Sequence, residues 1–255
     1  HHLLDLINPD QDFSLALYQQ AACQAIAEVQ GRNKLPLLVG GSGQYMWAVV
    51  EGWHIPAVPP DPELRRRLET QAQSQGWVAL YAQLEQLDPF TAHRLDPRNP
   101  RRLIRALEVC LKTGPVSQQR QRKSPDYPIL ILGLTLPRHE LYQLIDQRIE
   151  EMMARGWLEE VKGLLERGYS IELPALSSLG YHELGLVLKG QLDLAQAIQD
   201  IKYRSHNLAR HQYAWFRPQD EHIHWLEANK EEDAAAKALK LAQSFLEREE
   251  VYALR

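Results

Sequence analysis

The chain has 255 residues, 44% of them hydrophobic and 24% charged, with a formal net charge of −4, the balance of an ordinary globular protein large enough for one big core or two domains. No apolar run approaches the roughly 20 residues that a membrane span requires, and the opening HHLLDLINPD lacks the basic and apolar regions of a secretion signal. These features lead us to expect a cytoplasmic protein with no membrane partner.

Phe13 to Gln30 places Leu17, Ala21, Ala25 and Val29 at helical spacing, with Ser14 available as a cap. LPLLVGGSGQYMWAVVEG, residues 35 to 52, then reads as a buried strand that runs through a glycine loop into a helix, the junction of an α/β sheet where ligands bind. Gly40, Gly41 and Gly43 let a ligand or another backbone come close, and Ser42 adds a hydroxyl. The loop has neither the lysine and Ser/Thr of a P-loop nor the GxGxxG pattern. A polar-ligand turn and a purely structural tight turn both fit it.

The proline-rich HIPAVPPDP that follows ends both elements. Asp61 to Lys112 is helix after helix: Pro62 at a first turn, the amphipathic WVALYAQLEQL, a DPF break, and Asn99-Pro100 opening a helix that closes on Gly114. After a polar, basic linker, YPILILGLTL (127 to 136) reads as a strand buried on both faces of a parallel sheet. Residues 56–125 are therefore expected to be a helical insertion domain in an α/β core made of 1–55 and 126–255. Helices are expected from Arg138 to Gly168 and from Tyr181 to Trp215, a short last strand at HIHWL (222 to 226), and a final helix from Ala234 to Glu247. Cys23 and Cys110 lie in helix-like apolar settings without metal spacing and read as buried free thiols.

Charge is segregated. Arg94, Arg98, Arg101, Arg102, Arg105, Lys112, Arg120, Arg122 and Lys123 face only Asp96 and Glu108 within one stretch. Lys202, Arg204, Arg210 and Arg217 share a second stretch with no acid, while acids gather at Glu231 to Asp233 and at Glu247, Glu249 and Glu250. Two basic stretches are the footprint of a polyanion partner. Arg148 falls among Leu141, Leu144, Ile145 and Met152, an apolar helical stripe, and an arginine there needs an anion: a core carboxylate or a phosphate gripped in two parallel hydrogen bonds. In RSHNLARHQYAWFR (204 to 217), Trp215 and Phe216 suit base stacking and Arg210 and Arg217 suit phosphates, or Leu208, Tyr213 and Trp215 pack into a core. His206 and His211 are five apart, which is not the spacing of a helical zinc site, so no protein-held metal is expected.

HHLLDLINP (1 to 9), FSLALYQQAA (13 to 22), LPLLVGGSGQY (35 to 45), DPELR (61 to 65), NPRRLIRALEV (99 to 109), LPALSSLGYHEL (173 to 184) and RHQYAWFR (210 to 217), in this order, resemble the tRNA dimethylallyltransferase, or tRNA isopentenyltransferase, family over nearly the whole chain. The resemblance implies an α/β fold, a P-loop NTPase-like parallel-sheet core with an α-helical insertion domain. It implies transfer of a dimethylallyl group from dimethylallyl diphosphate to N6 of adenine 37 in tRNAs reading codons that begin with U. The flipped adenine and the diphosphate would meet in a channel through the core. The implied partners are the tRNA anticodon stem-loop and dimethylallyl diphosphate with Mg²⁺, and a monomer is expected.

By the same resemblance the catalytic residues are Ser42, at a tRNA-contacting threonine position, and Arg148, at the arginine that holds the diphosphate, with Gly40 and Gly41 also assigned to the diphosphate. The residues implied to touch tRNA are Arg66; Arg101, Arg102, Leu103, Ile104 and Arg105; Ser177, Ser178, Leu179, Gly180, Tyr181 and His182; and Arg210, His211, Gln212, Tyr213, Ala214, Trp215, Phe216 and Arg217. His206 and His211 replace two basic residues of the family pattern, and Leu144 replaces an arginine. The family's opening strand, GPTxSGKS loop and general-base aspartate are not found before His1, so an N-terminally truncated, inactive member with an incomplete sheet and unpaired edges near Leu35 to Val39 is expected. The alternatives are a non-catalytic tRNA-binding fragment, an adenylate isopentenyltransferase and a small-molecule P-loop kinase.

Overall fold

The computed structural model describes residues 1–56, 58–119, 123–229 and 231–253. Arg120 and Arg122 of the first basic stretch lie outside the described residues, as do the side chains of Glu231, Glu232, Glu249 and Glu250. The chain forms two compact units, one of Ser14–Pro36 and Tyr45–Asp126, the other of His1–Phe13, Leu37–Gln44 and Tyr127–Arg255.

The first unit is helical. Helix α1 (Leu15–Gly31) starts where the Ser14 hydroxyl accepts the Leu17 N–H. Gln19 on it donates to the carbonyls of Ala48 and Trp53 at 2.6 and 2.8 Å, and Tyr18 stacks on Tyr45 with ring centroids 4.3 Å apart. Those two contacts fasten α1 to α2 (Gly43–Val50), whose residues from Tyr45 onward belong to this unit. Helices α3 (Pro62–Gln75), α5 (Pro89–Arg94) and α6 (Pro100–Thr113) each begin with an Asp or Asn cap followed by proline, which loses no intrahelical bond at a first helical position. Helix α4 (Trp77–Leu87) and the short α7 (Val116–Gln119) complete the unit. Leu68, Leu80, Leu84, Leu103, Leu107 and Cys110 form its core, and each buried leucine contributes roughly 1.5–3 kcal/mol.

Across α3 and α6, Glu108 is fully buried and accepts from Arg65, Arg105 and the Asp61 N–H. Burial pushes its carboxyl toward the neutral form, but the bonds from Arg65 and Arg105 and the Asp61 amide outweigh that and leave its pKa below the ordinary value.

The second unit carries the sheet. Strand β1 (Ile131–Thr135) runs parallel to β2 (Ile223–Glu227), with Ile131 opposite Ile223 and Thr135 opposite Glu227. Helices α8 (Arg138–Ala154), α9 (Trp157–Glu166), α10 (Tyr181–Leu188) and α11 (Leu194–Trp215) connect the strands, and α12 (Glu231–Ala253) packs on β2. Ile149, Trp157, Val161, Leu184 and Ile201 are the centre of the helical packing. No helix among the described residues is long and apolar enough to cross a membrane.

Three local expectations are corrected. Leu35 to Val39 forms no ladder among the described residues, and Leu37 and Val39 are 80% and 90% exposed. β1 is not covered on both faces: Leu132 and Leu134 are exposed while Ile131, Gly133 and Thr135 are half-buried, because a run of apolar residues reports its own character and not its neighbours. Cys110 is buried as expected but Cys23 is exposed; both are free thiols.

Candidate functional site

Helix α8 turns Ile145, Ile149, Met152 and Met153 inward. Ile149 is the buried centre of that stripe, and Arg148, one residue and about 100° round the helix, falls outside it with Leu144, which is 52% exposed. Arg148 is thus exposed and not enclosed in an apolar stripe as the spacing suggested. Among the described residues no carboxylate pairs with it; Glu151, one turn on, is engaged by Gln147 and Arg155. A core Asp or Glu is therefore not its partner, and its guanidinium is open to an external anion.

Two ion pairs tie α8 to α11 on another face. His206 Nε2 lies 2.8 Å from Asp146 Oδ1 with its ring stacked on Tyr142 at 4.0 Å, and Lys202 donates to Glu150 at 2.6 Å. His206 is spent inside the protein, while His211 is exposed.

The turn leading into α10 is built from short-range bonds. Ser177 and Ser178 donate to the carbonyls of Pro174 and Ala175, both at 2.7 Å, and remain exposed. Gly180, at φ +91°, donates its N–H to buried Glu183 at 2.8 Å, and the Trp157 ring lies where a side chain at 180 would be. Glu183 also pairs with Arg204 of α11. Burial and the Glu160 carboxylate it donates to push the Tyr181 phenol up to about 12, so it remains protonated at neutral pH. His182 Nδ1 is buried without a partner among the described residues, and Leu179 is half-buried.

At the far end of α11, Gln212 donates to the Gly41 carbonyl at 3.0 Å, beside Gly40 and an exposed Ser42. Tyr213 reaches Thr135 Oγ1 at 3.4 Å and stacks on Trp225, so it packs against the sheet. His211, Ala214 and Arg217 are exposed, Arg210 pairs with Asn207, Trp215 is partly exposed and Phe216 caps the helix. Leu208 is exposed, so the core reading of this segment holds for Tyr213 alone.

In the helical unit Arg66, Arg101 and Arg102 are exposed. Arg66 borders an open depression on α3 with Arg67, Thr70 and Gln71, a one-helix surface and not an enclosed pocket. Leu103 and Ile104 are core residues that do not face outward, and Arg105, partly exposed, is committed to Glu108 and the Val58 carbonyl. Among the described residues no group of three or more His, Cys, Asp or Glu is placed to hold a metal ion. Arg204 was expected only as a member of the second basic stretch, and Glu183 was given no role, although its spacing three residues after Gly180 is that of a helix-start capping pair.

A family model described as IPP transferase matches residues 1–219. A tRNA dimethylallyltransferase of Roseiflexus castenholzii is 54% identical over 218 residues, 85% of this chain and 71% of the relative. One of Dehalococcoides mccartyi is 42% identical over 247 residues, 96% of this chain and 75% of the relative. Among solved structures, the tRNA isopentenylpyrophosphate transferase of Bacillus halodurans is 34% identical with a TM-score of 0.64, covering 97% of this chain and 80% of that one. A eukaryotic dimethylallyltransferase acting on tRNA, at 22% identity and a TM-score of 0.78, covers 97% of this chain and 66% of that one and agrees in fold. The chain is a prenyltransferase with an α/β fold. It belongs to the IPP transferase family.

Proposed function

We propose that this protein transfers a dimethylallyl group from dimethylallyl diphosphate to N6 of adenine 37 in tRNAs that read codons beginning with U. The observation that carries the reading is Arg148: an exposed guanidinium without a carboxylate partner among the described residues, on a helix of the α/β unit, in a chain whose relatives are tRNA dimethylallyltransferases. The C–O bond between the allylic carbon and the diphosphate breaks, a C–N bond forms to the adenine amino nitrogen, and that nitrogen loses a proton. Arg148 stabilises the negative charge gathering on the departing diphosphate, and Gly40 and Gly41 are the backbone this reading assigns to the same group. Mg²⁺ accompanies the diphosphate in this reading; the described residues hold no group of three or more His, Cys, Asp or Glu placed for it, and no step depends on it.

Ser42, Arg66, Arg101, Arg102, Ser177, Ser178, Arg210, His211 and Arg217, all exposed, are the side chains this reading sets against the anticodon stem-loop. The protein acts as a cytoplasmic monomer. A free-adenylate acceptor has less support, since a mononucleotide has no use for basic residues spread over α6 and α11.

The test is transfer of labelled dimethylallyl groups to tRNA by the full-length protein. Arg148→Ala is expected to lower turnover by on the order of 10²-fold, and tRNA with guanine at position 37 should receive no label. Wild-type turnover in the variant would overturn the role of Arg148, and preferred labelling of adenylate would overturn the substrate.

A further inference from the structure

Residues 35–42 make no backbone hydrogen bond to any described residue, and Leu37 and Val39 are the most exposed of the large apolar side chains. The segment carries Ser42. Its one polar tether among the described residues comes from the end of α11, where the Gln212 side chain bonds to the Gly41 carbonyl. A carbonyl only accepts, so the amide nitrogen of Gln212 must face it.

Trp215 lies three residues further on, and on a helix that spacing sets both side chains on one face. Its ring occupies the space directly over Gly43, where any β-carbon would overlap it, and Gln212 stands in the same relation to Gly41. The two glycines are therefore sites of close approach, each pressed by one side chain of α11. The remaining residues of these last turns, His211, Ala214 and Arg217, point to solvent.

We infer that Gln212 and Trp215 are positioning residues that clamp the 40–43 turn and so set the place of Ser42, instead of meeting tRNA themselves. The helix end then has two tasks on two faces: it offers cations outward and fixes a hydroxyl-bearing turn on the other side. A clamp of one hydrogen bond and one ring is enough because the turn is short and two glycines let both groups come close. The inference rests on the reading that the Ser42 turn meets tRNA.

A double-variant cycle on the full-length protein, read as KM for tRNA, tests it. Ser42→Ala and Gln212→Met, which keeps side-chain length but removes the donor, are each expected to raise KM for tRNA about 5-fold, with KM for dimethylallyl diphosphate unchanged. The double variant should also show about 5-fold, because Gln212 acts through Ser42. Gly43→Ala, which alters no exposed side chain, should raise the same KM by displacing Trp215. A double variant near 25-fold, or Gln212→Met with wild-type KM, overturns the clamp while leaving Ser42 as a contact. Ser42→Ala with wild-type KM overturns the underlying reading and the clamp with it.

Discussion

The two compact units dispose of their charges differently. In the helical unit Glu108, Asp61 and Asp88 are each bound to arginine, lysine or backbone N–H groups, and Arg65 and Arg105 are consumed in holding α3 to α6. In the α/β unit Arg148, Arg217 and His211 are exposed, and Leu37, Val39 and Leu134 leave apolar surface open. The same residue type therefore stands in different settings: an arginine beside a buried carboxylate is part of the scaffold, and an exposed one without a carboxylate partner keeps its charge for solvent or an external anion. Sequence charge counts sum the two kinds, so the basic stretch from Arg94 to Lys123 overstates the surface it presents.

Variants that remove scaffold should cost stability, and variants that remove exposed cations should cost function alone. The largest expected loss is Leu103→Ala, about 3 kcal/mol of unfolding free energy from a fully buried side chain, measured by denaturant unfolding. If it lowers tRNA affinity at unchanged stability, the assignment of that side chain to the core is wrong. Glu108→Ala should follow at about 2 kcal/mol, reduced because the freed Arg65 and Arg105 are partly exposed and regain water.

The pH dependence has a definite sign. The Glu108 pKa is lower folded than unfolded, so its stabilisation is complete above the unfolded carboxyl value, about 4.3, and is lost as pH falls through the folded value. Glu108→Gln should therefore shallow the acid limb of the stability curve, and an unchanged limb would assign acid unfolding to other groups. Smallest in stability is Arg101→Ala with Arg102→Ala: within about 0.5 kcal/mol of wild type, but with the log–log salt dependence of tRNA binding shallower by about one unit for each phosphate the variant no longer neutralises. A clear fall in melting temperature there would erase the contrast between scaffold charges and exposed ones.

What was legible in the sequence follows the range of each interaction. The Ser14 and Asn99 caps, the Gly114 stop and the strands at 131–135 and 223–227 depend on residues a few positions apart, and all are where pattern puts them. The burial expected of Leu35 to Val39 depends on partners elsewhere in the chain, and periodicity is silent about them. Arg148 marks the limit of helical pattern: its stripe was right to within one residue, and one residue is enough to turn a side chain from core to solvent. The bond from Gln212 to Gly41 spans 171 positions and leaves no local trace.

The pairs between α8 and α11 have a consequence for sliding. Asp146 meets His206 and Glu150 meets Lys202, four residues apart on each helix and running in opposite directions. A slip of one turn, about 5.4 Å, would bring Lys202 to Asp146 but set Glu150 against Ile198, a residue of the apolar core. The two rungs thus resist a slip in that direction; the opposite slip would offer Arg210 to Asp146 and His206 to Glu150, so there it is the apolar packing of Ile149 and Ile201 that holds α11 in place along α8.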